Sequence, residues 1–177
     1  MKVSGFSFIK NAVRYGYPIL PAIRSVLPLC DEFVIAVGDC QDGTRELIES
    51  LKESRIRILD TVWDESLKTG GRVLADETNK AFAAVAADSD WAFYIQGDEV
   101  MHERYLDTVR QAMTTYRDDP RVDGLLFNYY LSGDPMTMWG LPRDGTERKS
   151  GSSATTEAFI PTGMPRDSAR GTIKSYA

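Results

Sequence analysis

The sequence predicts an α/β fold in which a mostly parallel sheet carries helices on both faces and is followed by a poorly structured C-terminal tail. Short apolar, β-branched runs have the length of buried strands, and they alternate with segments whose apolar residues recur at helical spacing. Such alternation is typical of a parallel sheet, because each helix carries the chain back across one face. The periodicity is lost after residue 130, which sets the tail apart.

Each predicted element has its own signal in the chain. The runs EFVIAV at 32–37 and WAFYI at 91–95 are the clearest strands, since they stay apolar over the length that a buried strand needs. Pro18 opens the first predicted helix, and the pair Gly70-Gly71 precedes the third. The predicted strands cover 2–9, 32–37, 55–59, 91–96 and 122–130, and the predicted helices cover 18–26, 44–53, 72–87 and 103–116.

Length and composition exclude several classes of protein. A chain of 177 residues with 42% hydrophobic residues can form one domain with a substantial core. The net charge of −5, with both signs mixed along the chain, argues against general nucleic-acid binding. No signal peptide is apparent, and no run approaches the roughly 18 apolar residues of a transmembrane helix. Two cysteines form neither a disulfide framework nor a recognisable zinc site, so we expect a cytoplasmic protein.

An acidic turn follows the strand predicted at 91–96. The apolar run leads directly into Gln96, Gly97, Asp98 and Glu99. Ligands of open α/β sheets bind at the carboxyl ends of the strands, and two carboxylates there can hold a hard divalent cation together with phosphates. The alternative is an acidic turn that only faces solvent.

A second polar turn, VGDCQDGT, follows the strand predicted at 32–37. Asp39 and Asp42 lie between that strand and a helix start, where a nucleotide can bind, because helix N-termini favour anions. The alternative is helix capping by Asp42 or Thr44, which requires no ligand.

Two further segments are candidates for ligand contacts. Lys68 and Arg72 flank a glycine pair before the third helix, where they can contact a diphosphate; the alternative is an ordinary solvated loop. The first strand contains Ser4, Gly5 and Phe6, and it leads into a polar loop on the side of the sheet where ligands bind.

Over residues 2 to 130, these segments together resemble a family 2 glycosyltransferase with the Rossmann-like GT-A fold. VGDCQDGT is similar to the D-x-S-x-D-G-T segment after the family's second strand, and IQGDE stands at its D-x-D metal motif. By this match Asp98 and Glu99 bind the metal, whereas Gln96 replaces the first acid and Cys40 the usual serine. Ser4, Gly5, Phe6, Asp39, Asp42, Lys68, Arg72, Gln96 and Gly97 are the expected nucleotide-sugar contacts.

The resemblance implies a reaction and its partners. A divalent cation, Mn²⁺ or Mg²⁺, would clamp the diphosphate of a nucleotide sugar, and the sugar would pass to an unknown sugar, lipid or protein acceptor. The catalytic base stays unassigned. Two alternatives remain open: a non-catalytic domain that binds a nucleotide, and a nucleotidyltransferase, although the first loop lacks the glycine-rich basic motif of that class.

The chain therefore divides into a nucleotide-sugar-binding domain at 1–130 and an irregular tail at 131–177. Gly, Ser, Thr and Pro account for 22 of the 47 tail residues, a composition that buries little apolar surface. We interpret the tail as a frame-shifted reading, because moving each codon back by one base turns 144–176 into a peptide of alternating apolar and basic residues. This hypothesis predicts that the acceptor half is lost and that turnover is weak.

Overall fold

The computed structural model describes residues 1–67 and 71–127 in full, and residues 157–161 as a backbone strand. Short 3-10 turns at Leu27–Leu29, Glu65–Leu67 and Glu103–Tyr105 join some of the larger elements. The elements in chain order are β1 (Val3–Ile9), α1 (Ala12–Tyr15), α2 (Ile19–Val26), β2 (Glu32–Val37), α3 (Thr44–Glu49), β3 (Ile56–Asp60), α4 (Arg72–Ala83), β4 (Trp91–Tyr94), α5 (Leu106–Tyr116), β5 (Leu125–Phe127) and β6 (Glu157–Pro161).

The strands form one sheet in the order β3-β2-β1-β4-β6-β5. The first four strands in this order are parallel, and β6 runs antiparallel between β4 and β5. The chain moves outward from β1 to β2 and β3, and then returns to the other side of β1 with β4. The predicted α/β fold with a mostly parallel sheet is confirmed.

The core lies on both faces of the sheet, because successive side chains of a strand point to opposite sides. One face packs against α2, α3 and α5, and its largest buried side chains include Phe33, Phe93 and Trp91. The indole Nε1 of Trp91 donates a hydrogen bond to the carbonyl of Met113, which ties α5 to the sheet (3.1 Å). The other face packs against α4. The predicted placement of helices on both faces is therefore confirmed.

Several predicted elements differ in extent from the structure; the strand predicted at 122–130 begins at Leu125, and the helix predicted at 103–116 begins at Leu106. The predicted helices 44–53 and 72–87 end earlier, at Glu49 and Ala83, since apolar spacing does not mark a helix end sharply. Within the predicted tail, β6 is a regular strand that pairs with both β4 and β5. Its apolar run AFI is too short to stand out in a Gly- and Ser-rich segment, and only pairing with two neighbours makes it a strand. Residues 128–156 and 162–177, and with them the frame-shift hypothesis, lie outside the described residues.

Three chain segments meet at the carboxyl edge of the parallel strands. The Gly38 N–H donates to the carbonyl of Ile9, so β2 and β1 end side by side (2.9 Å). The turn after β4 reaches the same point, because a Cβ placed on Gly97 would lie 2.6 Å from Cδ1 of Ile9. The end of β1 is thus flanked by the turn after β2 and the turn after β4, where the strand order reverses, and such reversals form ligand-binding crevices.

Candidate functional site

The first half of the site is an ion pair between the ends of β1 and β2. Lys10 directly follows β1, and its Nζ donates a hydrogen bond to Oδ1 of Asp39 (2.6 Å). The bond from Lys10, assisted by the backbone N–H groups of Asp39 and Trp63, lowers the pKa of the Asp39 carboxyl. Asp39 nevertheless stays exposed, so its carboxylate is both ionised and accessible to a ligand at neutral pH.

Asp42, by contrast, stabilises the local fold. Its Oδ1 accepts hydrogen bonds from the N–H and the hydroxyl of Thr44, and its Oδ2 accepts one from the N–H of Arg14. Burial alone would raise the pKa of Asp42, but these hydrogen bonds outweigh it and lower the pKa. The N-cap of α3 is Gly43 and not Asp42, so the predicted capping is wrong in detail: Asp42 lies just before the N-cap, and its contacts join α1 to the turn after β2.

The acidic turn, residues 96–99, is the second half of the site. Asp98 is exposed, whereas Glu99 is half-buried and its Oε2 accepts a hydrogen bond from the N–H of Gln96 (3.0 Å). Burial raises the pKa of Glu99, the neighbouring Asp98 charge adds to this effect, and the Gln96 N–H opposes it. Gly97 is buried against Ile9 and brings the turn close to β1. The site thus holds two adjacent carboxylates whose mutual repulsion a cation would relieve.

The acidic turn fits a divalent cation that binds together with a ligand. Among residues 1–67 and 71–127, no group of three or more His, Cys, Asp or Glu side chains is placed to hold a metal ion. Mg²⁺ is commonly bound through one or two carboxylates and the phosphates of a substrate, with water completing its shell. Asp98 and Glu99 are two carboxylates that such a cation could use, and phosphate oxygens could supply further ligands.

Trp63 is a site residue that the sequence did not reveal. It lies in the segment after β3, 5.4 Å from Lys10 Nζ to the ring centroid, and its backbone N–H contributes to the low pKa of Asp39. A Cβ on Gly38 would lie 2.7 Å from its Nε1, so only glycine leaves room for the indole. The sequence feature that could have identified Trp63 is a tryptophan in a polar segment shortly after a strand.

A buried carboxylate anchors the segment that carries Trp63. Glu77 of α4 is fully buried, and its two oxygens accept hydrogen bonds from the Thr61 hydroxyl (2.5 Å) and from Lys80 Nζ (2.6 Å). The Thr61 N–H in turn donates to the carbonyl of Val37 (2.9 Å). These bonds fix the start of the segment against β2 and α4.

Three of the predicted contact residues lie away from the site. Ser4, Gly5 and Phe6 are buried inside β1, and the Ser4 hydroxyl donates to Glu32, at the opposite end of β2 from Asp39 (2.7 Å). Phe6 packs against Phe82 of α4 (5.3 Å between ring centroids). Their burial does not favour the expected ligand contact, which stays a prediction, because a central strand carries its interior residues into the core and only the residues after its end reach the edge.

The predicted basic segment is described only in part. Arg72 is exposed at the first residue of α4, which follows β3 and therefore begins on the carboxyl side of the sheet. Lys68 lies outside the described residues. The structure thus brings together Asp39, Gln96, Gly97, Asp98 and Glu99 around the end of β1.

Cys40 is expected to be the thiol that reacts in the native protein. Burial raises the pKa of the Cys30 thiol to about 12, which keeps that thiol protonated and unreactive. Cys40 is half-buried at the site, where its Sγ accepts a hydrogen bond from the N–H of Asn11 (3.1 Å). We expect Ellman's reagent to titrate one of the two thiols before unfolding and both after it, and Cys40→Ser to abolish the native reaction. Labelling of Cys30 in the native chain would contradict this assignment.

Comparisons with known proteins identify similar folds. No protein-family model and no curated protein sequence matches the chain. Among solved structures, S. aureus TarS is similar with a TM-score of 0.58 and 15% identity over 92% of this chain and 28% of TarS. TarS 1-349 in complex with UDP-GlcNAc is similar with a TM-score of 0.56 and 16% identity over 92% of this chain and 46% of that chain.

A third similar structure is that of a protein named for a synthase activity. The 4-diphosphocytidyl-2C-methyl-D-erythritol synthase of Anaerococcus prevotii DSM 20548 is similar with a TM-score of 0.52 and 12% identity, over 91% of this chain and 70% of that chain. Across the described residues, no helix is long and apolar enough to cross a membrane. This chain spans less than half of the TarS chains, and at these identities the likeness shows a shared Rossmann-like α/β fold.

Proposed function

We propose that this chain binds a nucleotide diphosphate sugar at the carboxyl edge of its sheet and is the donor-binding part of a glycosyltransferase. The observation that carries the proposal is the meeting of two acid-bearing turns, with Asp39 on one and Asp98 on the other, on either side of the end of β1. The fold shared with TarS supports it, because TarS structures include complexes with UDP-GlcNAc and with UDP.

The two turns would bind different parts of the donor. Asp39, ionised and exposed, suits the hydroxyl and N–H donors of a nucleoside. Asp98 and Glu99 would hold Mn²⁺ or Mg²⁺ against the diphosphate, with Gln96 and Gly97 shaping the turn. When bound, the cation would neutralise negative charge on the leaving nucleotide.

The acceptor side and the catalytic base stay unassigned among the described residues. From the frame-shift hypothesis for 131–177, we expect donor binding with weak sugar transfer.

A nucleotidyltransferase is the second candidate, favoured by the similarity to the erythritol synthase. The first loop argues against it, because Lys10 and Asn11, which follow β1, include no glycine, and Gly5 is buried inside β1 beside Phe33 and Cys30, away from any triphosphate. Release of pyrophosphate from CTP or UTP in the presence of a sugar or polyol phosphate would favour this candidate.

Calorimetric titration of the intact chain with UDP and UDP-GlcNAc, each with and without Mn²⁺, tests the proposal. We expect cation-dependent binding of both ligands, together with slow or no release of GlcNAc. Rapid transfer of the sugar would contradict the loss of the acceptor side. Absence of binding for UDP-, GDP- and dTDP-sugars, with and without the cation, would overturn the donor site itself.

A further inference from the structure

Lys10 is enclosed by a group of side chains that we name the Lys10 cluster: Lys10, Asp39, Trp63 and Glu65. The ammonium lies 2.6 Å from Oδ1 of Asp39 and 3.9 Å from Oε1 of Glu65. It also lies 5.4 Å from the centroid of the Trp63 ring, within the range of a cation–π contact. The Lys10 side chain is only 18% exposed, so its charge is directed into the cluster.

A ligand that binds Asp39 would have to displace a contact within the Lys10 cluster. Asp39, the residue proposed to bind the nucleoside, has its carboxylate engaged by Lys10. Across the described residues, the indole Nε1 of Trp63 is buried and lacks a hydrogen-bond partner, which carries a desolvation cost. The cluster therefore combines an ion pair with a buried, unsatisfied polar group on Trp63.

Lys10 is placed to reach both halves of the site. It follows Ile9, the residue whose carbonyl accepts from Gly38 and whose side chain packs on Gly97. Since β1 lies between β2 and β4, the Lys10 backbone lies between the turn that bears Asp39 and the acidic turn. A flexible four-carbon stem with three rotatable donors can redirect its ammonium from one turn to the other.

We infer that Lys10 is a phosphate-binding residue of this site, and that on ligand binding its ammonium exchanges Asp39 for the diphosphate. The exchange frees Asp39 for the nucleoside and places a positive charge beside the phosphates. Asp98 and Glu99, which would repel a diphosphate, make such a charge necessary in addition to the cation. The inference rests on the proposed function and adds the residue that recognises the anionic part of the ligand.

Titration of Lys10→Met with UDP and with uridine tests the inference. We expect UDP affinity to fall about tenfold or more, as for loss of a charge-assisted hydrogen bond, while uridine affinity does not fall, because Asp39 is free in this variant. Lys10→Arg keeps the charge and should retain most of the UDP affinity. Lys2→Met is the matched control, because it removes the same charge at the amino edge, where Lys2 pairs with Asp88.

A second measurement needs no Lys10 variant. Trp63 fluorescence should change when UDP draws Lys10 away from the ring, and uridine should leave it unchanged. The chain has three tryptophans, so Trp63→Phe identifies the signal: the UDP-dependent change should disappear in that variant.

The outcomes separate this inference from the proposed function. If the wild-type chain binds none of UDP, GDP and dTDP, with or without the cation, both are overturned. If the wild-type chain binds UDP and Lys10→Met binds it equally well, the donor site stands and the role of Lys10 is wrong. Tighter binding of both UDP and uridine by Lys10→Met would also overturn the inference, since Lys10 would then only block Asp39.

Discussion

Replacing Asp98 with asparagine is expected to remove most of the cation-dependent affinity for UDP. Asp98 is the exposed carboxylate of the acidic turn, and an amide oxygen of the same size binds a hard cation far less strongly. Replacing a residue that hydrogen-bonds a metal ligand lowers metal affinity roughly 10- to 100-fold. Replacing a direct ligand should therefore lower the cation-dependent affinity for UDP by an amount near the upper end of that range. Titration with UDP in saturating Mn²⁺ measures the effect.

Asp107→Asn is the control for this prediction. Asp107 is exposed in the first turn of α5, so its replacement removes the same charge away from the acidic turn. We expect this variant to bind UDP as the wild-type chain does. Retention of Mn²⁺-dependent UDP binding by Asp98→Asn would show that the cation is held elsewhere.

Replacing Gly5 with alanine is expected to lower the free energy of unfolding by about 2–3 kcal/mol. The added Cβ would lie 2.4 Å from Cδ2 of Phe33 and 2.9 Å from Sγ of Cys30. The Phe33 ring is fully buried and packed against helices, so the backbone of β1 or the ring must shift. Urea unfolding with linear extrapolation measures the loss.

A control variant and a double variant test whether overlap with Phe33 causes the loss of stability. Ser7→Ala, on the same face of β1, adds no atom and should change the free energy of unfolding much less. Phe33→Leu combined with Gly5→Ala should cost less than the sum of the single changes, because the shorter side chain removes the overlap. Additive costs would show that the overlap with Phe33 is not the cause. The folded Gly5→Ala chain should bind UDP with wild-type affinity, since Gly5 lies in the core.

Much of the fold was predictable because its signals are local. The apolar runs at 32–37 and 91–95 have few other ways to bury their side chains, and their alternation with helical segments predicts a parallel sheet. In the same way, the position of the acidic turn after a strand predicts its place at the carboxyl edge. Helix ends and the strand β6 were not predictable, because they depend on contacts with distant parts of the chain.

The sequence by itself determined the α/β class, the parallel strands and the presence of Asp39, Asp98 and Glu99 at strand ends. Hydrophobic periodicity and the polar residues that end a strand depend only on residues close together in the sequence. Only the tertiary structure decided what each side chain contacts. It placed Ser4, Gly5 and Phe6 in the core. It engaged the Asp42 carboxylate in hydrogen bonds from Thr44 and Arg14. It also joined Lys10, Trp63 and Asp39 at the end of β1. Those contacts link residues up to dozens of positions apart, and they exist only once the strands are paired in register.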